Sequence, residues 1–150
     1  MKMTIWVDAD AAPNACKEIL VRASRKREVD VVLVANRWMQ KPKAARVTVQ
    51  TVNMGEDVAD DYIVEHCEAG DMVVTFDIPL AARAVEEGAF VVTPHGKELD
   101  ESNVRERLSR RNFAQQLRDM GVDTGGPDAF GASQKQAFAN ALDRWLTARE

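Results

Sequence analysis

Apolar and polar positions along this chain switch repeatedly between two spacings. Residues 4–8 (TIWVD) form a short apolar run, and beyond Pro13 the recurrence of Ala15, Ile19, Leu20 and Ala23 is that of one helix face. Residues 29–35 (VDVVLVA) are nearly all β-branched or apolar, as in a strand buried on both faces of a parallel sheet. The polar, basic stretch RWMQKPKAAR predicts a loop, and 46–52 (RVTVQTV) a third strand. Residues 57–69 place Val58, Tyr62, Ile63 and Cys67 on a helical stripe stopped by Gly70. A fourth strand at 72–77 (MVVTFD), a helix over IPLAARAVEE before Gly88, and a fifth strand at 90–93 (FVVT) follow. Two last helices are expected, about 101–120 ended by Gly121, and 133–148 opened by a Ser133/Gln136 capping box, with turn-rich DTGGPDAFG between them.

Strands alternating with helices predict a three-layer α/β fold around a mostly parallel, doubly wound sheet of about five strands, with right-handed crossovers. No internal repeat, low-complexity tract or dividing linker interrupts it, so residues 1–150 are expected to form one domain. In such folds ligands bind beyond the carboxyl ends of the strands. The first strand exits at Asp8 and Asp10, the second at Asn36, and the third at Asn53 leading to Asp57. The fourth exits at Thr75 and Asp77, the fifth at Thr93 and His95. Four of these five exits offer carboxylate or amide oxygen, the ligand type preferred by Mg²⁺ and Mn²⁺. Asp57, Asp60 and Asp61 share a helix face and repel one another, which a cation would relieve.

Each acid also has a plainer reading. Asp57 suits the first turn of a helix through the helix dipole, Asp10 a helix cap before Pro13, and Asp77 a turn. Asp8 directly follows an apolar strand, where a carboxylate without a cation or donors is costly. His66 is expected on a solvated polar face, and His95 in a loop with phosphate contact as the alternative. Trp38 is expected to pack against its own loop, the sharper alternative being a base stacked between cations such as Arg37. Trp6, Phe138 and Trp145 follow core spacing.

Composition narrows the classes. With 45% hydrophobic and 29% charged residues the chain is neither disordered nor membrane-like. MKMTIWVDAD lacks the pattern of an export signal, and Cys16 and Cys67 stand outside ligand spacing, so a reducing cytoplasm without zinc or disulfides is expected. Net charge −4 excludes a uniformly basic nucleic-acid coat. Basic runs remain at Arg22, Arg25, Lys26 and Arg27, at Arg37, Lys41, Lys43 and Arg46, and at Arg105, Arg107, Arg110 and Arg111. There is no GxxxxGK[ST], GxSxG or early GxGxxG motif, which leaves metal-assisted chemistry.

At VDADAAPN, DVADDYIVEHCEAGDMVVTFDIPLAARAVEEGA and TGGPDAF the sequence closely resembles the YaiI/YqxD family of bacterial proteins, related to PIN-like domains, across nearly its whole length. The resemblance implies a PIN-like fold and Mg²⁺- or Mn²⁺-dependent phosphodiester hydrolysis, usually of RNA. It implies Asp8, Asp10 and Asp77 as catalytic acids and Asp8, Asp57, Asp60, Asp61 and Asp77 as the metal set. The strand exits and the basic loop, independently of the resemblance, offer Asn36, Arg37, Trp38, Thr75 and His95 as substrate contacts. The sequence departs from the family pattern at Ala12, Phe76 and His95, where cysteine, alanine and arginine are usual. Two other classes stay open: a non-catalytic nucleic-acid or protein-binding module, and a small aspartyl-type phosphatase lacking the expected lysine signal.

Overall fold

The computed structural model describes residues 3–55, 57–120 and 131–149. Five parallel strands form in the order the apolar runs suggest: β1 (Thr4–Asp8), β2 (Asp30–Ala35), β3 (Val47–Thr51), β4 (Met72–Val74) and β5 (Phe90–Val92). Among the described residues a sixth, β6 (Glu98–Leu99), pairs antiparallel with β5, so the sheet has order β3-β2-β1-β4-β5-β6. Successive crossovers run outward from β1 in one direction and from β4 in the other. The direction of winding therefore reverses between β1 and β4, which are hydrogen-bonded neighbours.

Side chains alternate across each strand and build two cores. On one face Ile5, Val7, Val31, Leu33, Met72 and Val74 pack with Cys16 and Leu20 of α1 (Asn14–Lys26) and with Phe138, Leu142, Trp145 and Leu146 of α5 (Ala132–Arg149). On the other, Val34, Val73 and Val91 pack with Ile63 of α2 (Val58–His66) and Leu80, Ala81 and Ala84 of α3 (Ile78–Glu86). Val104, opening α4 (Val104–Asp119), joins this second core. Cys16 and Cys67 lie on opposite faces of the sheet, both buried, and burial pushes the Cys16 thiol up to about 12.

Helix α5 spans the height of the sheet. Its far end grips the turn before β4, where Trp145 Nε1 and Arg149 Nε both donate to the Gly70 carbonyl, at 3.3 and 3.1 Å. Near its start, the backbone of Ala137 and Phe138 lies against Gly96. Among the described residues no helix is long and apolar enough to cross a membrane.

Several boundaries shift from the sequence reading for local reasons. The fourth strand stops at Val74 because the Thr75 hydroxyl accepts from the Asp77 amide, turning the chain away from the ladder. Helix α4 starts at Val104 because the Asp100 carboxylate holds the Ser102 and Asn103 amides in a turn. The Ser133/Gln136 capping box does not form: α5 starts one residue earlier, Gln134 accepts from the Gly131 amide at 3.0 Å, and Gln136 bonds Asn140. β6, only two residues long, shows no periodicity to read. Gly121 and most of DTGGPDAFG lie outside the described residues.

Candidate functional site

The reversal of winding brings the ends of β1 and β4 side by side. Val7 pairs with Val74, so Asp8 and Thr75 leave the sheet as neighbours, and Thr75 Oγ1 donates to Asp8 Oδ2 at 3.0 Å. The same hydroxyl accepts from the Asp77 amide at 2.9 Å. Asp77 Oδ1 in turn accepts from the Leu80 amide at 2.9 Å, so Asp77 is the N-cap of α3. Asp10 is not a helix cap. Pro13 holds that position in α1, and Asp10 Oδ2 instead receives the Asn36 amide at 2.7 Å, tying the first exit to the second. Each acid engages one oxygen within the protein. Among the described residues, Asp8 Oδ1, Asp10 Oδ1 and Asp77 Oδ2 have no protein donor.

Electrostatics show which other acids join them. Desolvation by burial, then the charges of Asp77, Asp8 and Asp57, push the Asp60 carboxyl up to about 7. Asp8 is raised as well, by burial first and then by Asp77 and Asp10, against the lowering bond from Thr75. Asp57 caps α2 in a left-handed conformation (φ 66°) with no side-chain cap bond, and stays exposed. Asp61 turns elsewhere, to Arg83 at 2.8 Å. Among the described residues no three acids, histidines or cysteines converge as a ready-made ion cage.

The sign of the Asp60 shift fixes a pH dependence. Its folded value, about 7, exceeds the ordinary 3.8, so the folded protein binds this proton more tightly than the unfolded chain. Stability is complete below the unfolded value and is lost as pH rises through the folded one. In cation-free buffer Asp60→Asn should therefore melt higher than wild type at pH 8 and much like it at pH 4. Melting curves across that range check this, and equal curves at pH 8 would contradict it.

The remaining exits divide. The Thr93 hydroxyl closes a turn by accepting from the Lys97 amide. His95 meets Phe76 edge-on at 4.8 Å, so it stands beside the fourth exit, and two of the departures from the family pattern touch each other. Asn36 contributes its backbone amide to Asp10, while Arg37 is exposed. Trp38 does not pack into its own loop; it is 81% exposed. His66 is more than a solvated polar group: its ring stacks on Tyr62 at 4.0 Å and its Nδ1 lies 2.8 Å from the Tyr62 carbonyl. Arg105 and Arg110 lie exposed on α4, Arg110 paired with Glu106.

Sequence reasoning missed the role of Thr75 as a bridge. Placing it required the adjacency of β1 and β4. It also missed Asp71, which is buried and accepts from Trp6 Nε1 at 3.0 Å, linking β1 to the turn before β4 at the opposite end of the sheet.

Fold and strand exits together define an α/β protein with a doubly wound sheet and aspartates gathered where its winding reverses. The profile of a family described as "Uncharacterized BCR, YaiI/YqxD family" matches residues 6–148, and the chain belongs to that family. A UPF0178 protein of Saccharophagus degradans is 52% identical over 145 residues, covering 97% of this chain and 96% of its own. A UPF0178 protein of Shewanella sp. strain MR-7 is 51% identical over 142 residues (95% and 93%). The UPF0178 protein YaiI of Escherichia coli is 49% identical over 143 residues (95% and 93%). No solved structure matches the chain.

Proposed function

We propose that this protein is a metal-dependent phosphodiester hydrolase whose cation is held by Asp8 and Asp77, with Asp60 completing the set and Asp10 supporting it. The observation that carries this reading is the meeting of Asp8 and Asp77 at two adjacent strand exits, where burial first and neighbouring negative charge second raise both Asp8 and Asp60 of α2. The donors are all oxygen, suited to Mg²⁺ or Mn²⁺, and Mg²⁺ is commonly held by only one or two carboxylates with water completing its shell. Such a cation supplies positive charge to phosphate oxygens and lowers the pKa of water. The chain's own part is to hold the carboxylates in place: Thr75 fixes Asp8, the α3 N-terminus fixes Asp77, and the Asn36 amide fixes Asp10. Asp61, engaged by Arg83, is left out of the ligand set. The resemblance to a family related to PIN-like domains, whose nucleases use such acids, supports the same chemistry.

The test is cleavage of end-labelled single-stranded RNA with Mn²⁺ or with EDTA, by wild type, Asp8→Asn and Asp77→Asn. Cation-stimulated cleavage lost in both variants supports the proposal; equal activity in all three overturns it. A thermal shift with Mn²⁺, larger at pH 8 than at pH 4 and absent from the variants, gives a readout independent of turnover. The absence of a preformed three-acid cage among the described residues favours a second reading, a non-catalytic binding module. That protein would retain RNA without cleaving it and ignore both substitutions.

A further inference from the structure

Parallel neighbours need a crossover, usually a helix, but β2 and β3 are joined by the irregular segment 36–46. This loop is held in place. Met39 and Ala44 pack on the core shared with α1, the Ala44 amide donates to Pro42 O, and Lys41 Nζ donates to Ala44 O at 3.1 Å. Arg25 of α1 clasps it by donating to the Lys43 carbonyl.

Between loop and helix lies a cleft of about 540 Å³ whose lining includes Lys17, Arg22, Arg25, Lys43 and Met39, with Glu18 its one acid among the described residues. Arg22 also lines the neighbouring cleft between α1 and α5, beside Lys26 and Lys135, so the basic surface continues across α1. On a protein of net charge −4 this concentrates positive charge in one strip. Trp38 adjoins it. The loop buries part of Met39 yet leaves the largest side chain it owns 81% exposed, so packing does not account for the indole. The root of the same loop is held by Asp10, which ties the loop to the acidic strand exits.

We propose that α1 and the β2–β3 loop form a track for single-stranded nucleic acid, with Lys17, Arg22 and Lys43 on its phosphates and Trp38 stacked on an unpaired base. Cations in a groove answer a phosphate backbone, and an exposed indole answers a base face. A duplex hides its base faces within its own stack, so an indole platform selects single strands. The track deepens the hydrolase reading by naming the substrate class, but it is tested by binding with EDTA present.

Fluorescence anisotropy would use labelled RNA and DNA single strands of about 10 nucleotides, a blunt duplex and inorganic polyphosphate. Wild type should prefer single strands over the duplex and over polyphosphate, and the RNA and DNA arms identify the sugar. Trp38→Ala should weaken binding about tenfold and Trp38→Phe, which keeps a ring, less. The Arg22→Glu/Lys43→Glu pair should weaken it further and flatten the dependence of log K on log salt by about 0.7 for each phosphate no longer neutralised. Arg25 is left intact because it anchors the loop, and melting curves matching wild type show that the variants fold. Binding by these variants within about twofold of wild type, or polyphosphate and duplex bound as well as single strands, overturns the track. If no cleavage is seen while the track variants still lose binding, the hydrolase reading falls and the track stands; the reverse pattern separates them the other way.

Discussion

Asp8→Asn and Asp77→Asn are each expected to lower cation-stimulated cleavage by more than about 100-fold, the upper end of what losing a mere supporting partner costs at metal sites, with no loss of stability. Both substitutions keep the local hydrogen bonds. An asparagine at position 8 still accepts from Thr75, and one at position 77 still caps α3, because asparagine caps helices as well as aspartate does. What disappears is one negative charge from a group of neighbouring acids. In cation-free buffer at pH 8 the melting temperature should therefore hold or rise while activity falls, a combination that damage to the fold would not produce. Asp77→Ala loses the cap as well, which costs about 1 kcal/mol. Parallel measurement of turnover and melting separates the two contributions.

Gly96→Ala should be the most destabilising single-methyl change at a described glycine. Gly96 has φ +86°, and a Cβ there would lie 2.4 Å from the Ala137 carbonyl carbon and 2.6 Å from the Phe138 amide nitrogen, backbone atoms of α5 that no rotamer change can clear. Left-handed strain costs about 1–2 kcal/mol and overpacking about 1–3 more. The sum lowers the melting temperature by on the order of 10 °C in a chain of this size. Gly70→Ala is the internal control: its φ is +91°, but a Cβ meets nothing within 4 Å, so it incurs strain alone. Thermal melts of the two variants should differ by the clash term, and equal shifts would show that α5 yields easily.

The five parallel strands could be read in the sequence because unbroken apolar runs such as VDVVLVA state their own burial. The acids could be read because three of the runs end in one or lead to one, at Asp8, Asp57 and Asp77. What periodicity cannot state is which strands are neighbours. The pairing of β1 with β4 unites residues 67 positions apart through the Thr75–Asp8 bond, and it brings the first and fourth exits together. The same knowledge splits the helical trio: spacing puts Asp60 and Asp61 near one face, but Arg83, on a different helix, draws Asp61 away. Trp38 shows the converse. Loop aromatics ordinarily find local cover, and only the packed neighbours Met39 and Ala44 reveal that this one was left out.

The span of α5 bears on how the protein is made. Ile5, Val7, Met72, Val74 and Val92 share their core with Phe138, Leu142, Trp145 and Leu146, so one face of the sheet lacks much of its cover until α5 leaves the ribosome. Every strand is synthesised before that helix. During translation the part of that face not covered by α1 therefore stays exposed until α5 emerges, and exposed apolar surface of this kind promotes aggregation.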